Sequence, residues 1–211
     1  MTGLVRKATL FAACGVLAAS AAFANVPSPG NSTVPGCVTL VGSNTGVPDS
    51  LAGKFCVTVR DLANNPLNGS SVAIDISGRA DLRFCNAQLN ANYIQNCAAG
   101  TVRAFTNATG VACFTLLGGS QGPAVTLGGG GRIYADGVLI GTPGVSAYDL
   151  DGASGVGAND LSAWLIDFGS GNAYGRSDYD CSGGVGANDL SLWLITFGSG
   201  ASASSCTGVC P

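Results

Sequence analysis

All twelve acidic residues of this chain are Asp, and their spacing points to one kind of chemistry. Near the C-terminus, Asp178, Asp180 and Ser182 stand at alternate positions, Gly183 follows, and Asp189 closes a twelve-residue loop. Oxygens at the first, third and fifth positions turn to one side of such a loop. A glycine at the sixth allows a sharp bend, and the twelfth residue completes the shell. That is an oxygen cage for a hard divalent cation, and Ca2+ is the expected cofactor. An earlier copy has Asp149 and Asp151 at the first and third positions and Asp160 at the twelfth. It departs at Ala153, which has no side-chain oxygen, and at Ser154, which replaces the glycine. Gly155 and Gly184 occupy the seventh positions, where the backbone carbonyl is the donor. The candidate ligands are Asp149, Asp151, Gly155 and Asp160 in the first loop. In the second they are Asp178, Asp180, Ser182, Gly184 and Asp189.

The two loops belong to a repeat. Val156 to Gly171 recurs at Val185 to Gly200 with an offset of 29 residues, and differs only at Ala163/Leu192 and Asp167/Thr196. In each copy the closing Asp opens a helix. Leu161, Trp164, Leu165 and Phe168 fall at i, i+3, i+4 and i+7, which predicts one apolar face, and Leu190, Trp193, Leu194 and Phe197 repeat it. Gly-Ser-Gly then ends each helix. No helix precedes either loop, so each unit is half of an EF-hand. Tandem loop–helix units with Asp at the twelfth position resemble dockerin type I domains. The resemblance implies calcium binding and docking onto a cohesin-like partner in an extracellular assembly. Dockerins present a polar recognition pair at loop positions ten and eleven, with basic residues further along the helix. Here the pairs are Ala158-Asn159 and Ala187-Asn188, and no Lys or Arg follows in either helix.

Absent residues exclude much else. There is no histidine and no glutamate, so Ser-His-Asp catalysis, Cys-His catalysis and His-ligated metals are ruled out. An Asp pair could do acid–base work, but the Asp residues concentrate in the calcium-type loops. The chain is expected not to be an enzyme. Between Asn25 and Gly144, six basic residues face five Asp, whereas from Val145 onward seven Asp accompany a single cation, Arg176. This asymmetry suggests two modules, and the lack of a basic stripe excludes nucleic acid as a partner.

The first 24 residues read as a signal peptide. Arg6 and Lys7 precede an apolar run from Ala8 to Ala19, and Ala22-Phe23-Ala24 supplies a cleavage site. A lipoprotein reading through Cys14 is the alternative. No later stretch has the ~18 apolar residues of a membrane span. The mature chain is expected to be secreted or displayed on the cell surface. It would keep eight cysteines: Cys37, Cys56, Cys85, Cys97, Cys113, Cys181, Cys206 and Cys210. Without C-x-x-C pairs or histidines they indicate disulfides rather than zinc. Their ~105 pairings are not separable by sequence, although Cys206 and Cys210 are close enough to close a small local loop.

Residues 25–36, with three prolines, have the composition of a linker. Residues 37–144 read as a mainly β Ig-like sandwich. Lys54–Arg60, Val72–Ile76 and Val111–Leu117 alternate, Asn64-Asn65-Pro66 and Asn68-Gly69 are turn formers, and Asp136-Gly137 marks a two-residue hairpin. Val57-Thr-Val-Arg-Asp61, Pro66, Gly69-Ser-Ser-Val72 and Thr106-Asn-Ala-Thr-Gly110-Val-Ala112-Cys-Phe114 resemble bacterial Ig-like domains of the invasin/intimin type. Asn107 stands where that family has Asp. Another disulfide-bonded β-sandwich is the alternative. Sequons at Asn31, Asn68 and Asn107 fit chance in a chain rich in Asn, Ser and Thr. Residues 145–200 form the small α dockerin-like pair, and 201–211 a Cys-containing tail. The expected function is that of a secreted or cell-surface, non-catalytic binding or structural protein, with a cell-envelope protein as candidate partner. The alternative is an assembly subunit that docks onto a cohesin-like partner through residues 145–200. A dockerin-borne hydrolase fits less well, because the N-terminal module is small and shows no clustered Asp pair.

Overall fold

The computed structural model describes residues 25–41, 43–44, 47–48, 53–88, 90–126, 130–152, 155–198 and 210. The expected signal peptide, Ala153, Ser154, Cys206 and most of the tail lie outside them. The chain is mainly β, with two helices near the C-terminus. In chain order the strands begin with β1 (Cys37–Leu40), β2 (Ser43–Asn44), β3 (Val47–Pro48), β4 (Phe55–Thr58), β5 (Ser71–Asp75), β6 (Leu82–Phe84) and β7 (Ile94–Asn96). They continue with β8 (Thr101–Phe105), β9 (Val111–Phe114), β10 (Gly118–Ser120), β11 (Arg132–Ala135), β12 (Val138–Gly141) and β13 (Gly144–Ala147). The helices are α1 (Ala158–Gly169) and α2 (Ala187–Gly198).

The period-2 patterns divide between the layers, Val72–Ile76 entering the larger sheet as β5 and the other two pairing as β4 and β9. A five-stranded antiparallel sheet runs in the order β12-β11-β5-β8-β7. Its register lines up Ile133, Ile74 and Val102 across three strands, and beside them Ala135, Val72 and Ala104. All six are buried. Alternate residues share a face, so these rows turn inward together. The opposing layer is made of shorter pairs. β4 and β9 set Val57 opposite Ala112 and Phe55 opposite Phe114, with the two rings stacked at 5.4 Å. β6 pairs with β10, and β1 pairs in parallel with β13. Val38, Leu40, Val57, Phe84 and Phe114 join Val72, Ile74, Val102 and Ile133 in one core cluster.

The predicted Asp136-Gly137 hairpin forms between β11 and β12, with both residues at positive φ (47° and 84°). That is the backbone of a tight turn matching the strand twist. The Asp136 carboxylate also accepts bonds from the Ser70 hydroxyl and the Ser71 N–H.

Residues 25–36 do not hang free. Ser28 N–H donates to the Arg60 carbonyl, and Thr33 and Thr58 exchange backbone hydrogen bonds at 2.8 and 2.9 Å. The proline-rich stretch therefore runs as an extra edge along the segment that follows β4. Position 145, where the composition shifts, falls inside β13, which aligns Val145 with Val38 of β1.

All seven described cysteines are disulfide-bonded. Cys56 and Cys113 join opposite residues of β4 and β9, with Cα atoms 4.0 Å apart. Cys37, at the start of β1, is bonded to Cys181. Cys97 is bonded to Cys210, so the expected local Cys206–Cys210 loop does not form. Cys210 is buried at the edge of the sandwich core, beside β7, where its N–H donates to the Phe84 carbonyl. A link of sequence separation 113 also restricts an unfolded chain more than a local loop would. Disulfides of this kind belong to an oxidising compartment. No helix of the described residues is long and apolar enough to cross a membrane.

Candidate metal centre

β13 runs directly into the first acidic loop. The side chains of Asp149, Asp151 and Asp160 converge, each offering a carboxylate oxygen within 4.8 Å of the others. Asp178, Asp180 and Asp189 converge in the same way. In each cluster the first and twelfth residues are buried and the third is exposed. The loop backbone explains how like charges are brought together. Asp160 Oδ1 accepts from the N–H groups of Leu150 and Asp151 at 2.6 and 3.0 Å, and its Oδ2 accepts from Gly157 N–H at 2.6 Å. Asp189 repeats this with Tyr179, Asp180 and Gly186 at 2.6, 3.1 and 2.8 Å. Each twelfth-position carboxylate thus ties the start of its loop to the first turn of its helix. It also sits near the helix N-terminus, where negative charge is favoured.

The second loop has further bonds within it. Ser182 N–H donates to Asp178 Oδ1 and Asp180 Oδ1, and Gly183 N–H donates to Asp178 Oδ2. Gly183 has φ +98°, the left-handed conformation that the sixth position requires. Gly155 and Gly184 stand at the seventh positions, Gly155 buried and Gly184 half-buried. Burial holds the Asp160 and Asp178 carboxyls above the usual carboxylate range, opposed by the backbone N–H groups that donate to them. Exposed Asp180 is pushed the other way, chiefly by its hydrogen bond to Ser182. The donor set is oxygen alone, with three carboxylates to each cluster. That suits a hard cation and offers nothing to a soft one.

The helices face differently from the expected stripe. α1 buries Asp160, Trp164 and Asp167, and α2 buries Asp189, Trp193 and Thr196. Leu165 and Phe168, on the apolar face that the spacing marks out, are 52% and 51% exposed, and Leu194 and Phe197 are 49% and 45% exposed. The rotation follows from the loop. The helix must turn its first acidic residue to the cluster, which directs the i, i+4 and i+7 positions from that residue inward. Leu161 and Leu190 are half-buried. The tryptophans are the core of the pair, packed in one cluster with Val41, Leu117, Tyr148 and Tyr179. Phe168 and Phe197 stack on their outer sides at 5.3 and 5.1 Å.

One contributor to this arrangement escaped the sequence reading. Asp167, at one of the two positions where the repeats differ, is buried and accepts two bonds from Arg176, both at 2.8 Å. Ser177 adds a hydroxyl bond to the same carboxylate, and Arg176 also reaches Ser120 of β10. The Asp167/Thr196 difference was the available signal, together with Arg176 being the lone cation of this half. Asp75 and Asp81, the Asp residues of the sandwich that acid–base chemistry would need, are engaged separately. Asp81 forms a buried two-point ion pair with Arg79, and Asp75 pairs with Arg132 at 3.3 Å.

The fold and the two clusters define a disulfide-bonded β-sandwich protein that carries a duplicated acidic loop–helix unit. No protein-family model and no curated protein matches the chain. Among solved structures it is similar to the Yersinia pseudotuberculosis adhesin InvE at 20% identity, over 57% of this chain and 28% of that one, with a TM-score of 0.24. That superposition is too low to define a shared fold.

Proposed function

We propose that each acidic cluster binds one calcium ion, and that the chain is a secreted or cell-surface, non-catalytic binding or structural protein. The observation that carries this reading is the convergence of three carboxylates in each of two loops with the same hydrogen-bond frame. Asp149, Asp151 and Asp160, with the Gly155 carbonyl, would hold the first ion. Asp178, Asp180, Ser182, Asp189 and the Gly184 carbonyl would hold the second. Calcium supplies positive charge that offsets the mutual repulsion of the carboxylates. The export signals and disulfides support a location where calcium is abundant and thiols are oxidised.

Calorimetry of the full mature chain tests the reading. It should show two calcium ions bound with different affinities. The second loop has Ser182 and Gly183, where the first has Ala153 and Ser154. One fewer ligand and a less permissive bend should weaken the first site about tenfold, or ~1.4 kcal/mol. Two equal sites, no calcium heat, or thermal stability that ignores a chelator would remove this function.

A second reading is favoured by the outer helix faces. Leu165, Ile166 and Phe168 on α1 and Leu194, Ile195 and Phe197 on α2 are 45–70% exposed. Six large apolar side chains in two matching sets exceed the scattered exposure of an ordinary surface. With the dockerin resemblance, they support docking onto a cohesin-like partner. Ile166→Asp combined with Ile195→Asp should then abolish capture by a cohesin while both calcium events remain. Capture unchanged by the double substitution would exclude these faces.

A further inference from the structure

The second acidic loop is bonded to the sandwich at the position where its twin has glycine. Counted from Asp149 and Asp178, Gly152 and Cys181 both stand fourth. Both take the left-handed backbone, at φ +67° and +53°. Glycine adopts it freely, whereas a residue with a Cβ is disfavoured there. Cys181 holds it while bonded to Cys37 at the start of β1.

The surroundings are shaped for that bond. Cys37 lies opposite Gly144 in the β1–β13 pair. A Cβ on Gly144 would stand 2.5 Å from the Cys181 sulfur, so only glycine leaves room for it. Both cysteines are half-buried, and Cys37 lines a cleft of about 240 Å³ between the sandwich and α2. A small thiol can therefore reach the bond.

Two of the proposed calcium ligands flank Cys181. Asp180 precedes it and Ser182 follows, and the Ser182 N–H donates to both Asp178 and Asp180. A cation gripped by Asp178, Asp180 and Ser182 fixes the backbone that carries the Cys181 sulfur. A fixed sulfur has a higher effective concentration at Cys37 than one on a loosened loop. The coupling also runs the other way, because linkage between two equilibria is reciprocal. The first loop contains no cysteine and stands outside this coupling.

We infer that the Cys37–Cys181 bond is a thiol-reducible latch on the second calcium site. The closed bond tightens the site, and calcium in the site protects the bond from reduction. The inference rests on the calcium reading given above. The reductant is a dithiol, such as that of an envelope thiol–disulfide oxidoreductase. One of its thiolates attacks a sulfur of the bond, forms a mixed disulfide and releases the other cysteine as a thiolate. The second thiol of the reductant then displaces the remaining cysteine. Two electrons and two protons pass to Cys37 and Cys181, and the reductant becomes a disulfide.

Equilibration of the full mature chain in a buffer of reduced and oxidised dithiothreitol tests the inference. Free thiols are alkylated and located by peptide mass spectrometry, in saturating calcium and in chelator, with calcium binding measured by calorimetry on the same sample. Cys56–Cys113 is the internal control, since both residues are exposed and lie on β4 and β9, outside both loops. Calcium should shift the Cys37–Cys181 equilibrium about fivefold toward the bonded form, ~20 mV for a two-electron couple, and leave Cys56–Cys113 unmoved. Asp180→Asn, at an exposed ligand position, should abolish the shift, whereas Asp151→Asn in the first loop should keep it. Equal protection of both bonds would mean that calcium acts only on the fold as a whole, and would overturn the latch. So would a Cys37–Cys181 equilibrium that ignores bound calcium, or protection that survives Asp180→Asn. A calorimetric trace with no calcium binding would instead remove the calcium reading itself, and the latch with it.

Discussion

Asp189→Ala should abolish the tighter of the two calcium-binding events and leave the weaker one in place, whereas Asp160→Ala should do the reverse. Asp189 acts twice. Its carboxylate is one of three that converge in the second loop, and it accepts the N–H groups of Tyr179, Asp180 and Gly186. Removing it takes away a ligand charge and leaves backbone donors without a partner, a cost of about 1–3 kcal/mol even before calcium is added. In calcium at a hundredfold over Kd, the variant also forgoes about 2.7 kcal/mol of binding stabilisation. Its melting temperature should therefore fall in chelator and fall further, relative to wild type, in calcium. A variant that loses stability equally in both conditions, while two calcium ions still bind, would show that Asp189 is only a helix cap. Trp193 reports the same event by fluorescence, because it lies one helical turn beyond Asp189 on the buried face.

Replacing Cys37 and Cys181 together by Ser should cost about 2–5 kcal/mol, the range for losing a native disulfide that closes a long loop. The sequence separation of 144 places this bond at the upper end of that range. Its position makes a second effect expected. Cys181 lies between Asp180 and Ser182 in the second loop, at φ +53°. Freed from β1, the residue loses the tether that holds it in a conformation uncommon for a non-glycine side chain. The second calcium event should weaken several-fold while the first, whose loop contains no cysteine, changes little. Denaturant unfolding with paired calorimetry separates the two effects. Equal weakening of both sites would mean that the bond acts on global stability alone.

The acidic loops were legible because their information is local. Asp178, Asp180 and Asp189 are fixed to one another by twelve residues of chain, and the 29-residue repeat shows the same spacing twice. The hairpin at Asp136-Gly137 was legible for the same reason, since a two-residue turn needs only its own φ angles. The apolar face was legible at Leu165, Phe168, Leu194 and Phe197, but not which way it turns. Apolar period alone chose the stripe, whereas the loop-closing carboxylate decides the rotation. Cys210 was misassigned because a sequence neighbour is visible and a partner 113 residues away is not.

The sequence by itself determined the composition-level facts: an Asp-only acidic set, no histidine, eight cysteines from Cys37 onward, and a duplicated oxygen-rich loop followed by a helix. Those follow from residue type and short spacing, which no packing can alter. Only the tertiary structure decided that the repeat is not a separate appendage. Tyr148, Trp164, Tyr179 and Trp193 share a core with Val41 and Leu117, Arg176 reaches from Asp167 to Ser120, and Cys181 is bonded to Cys37. These contacts join residues tens to more than a hundred positions apart. Their cost in chain entropy is recovered only when the whole fold closes.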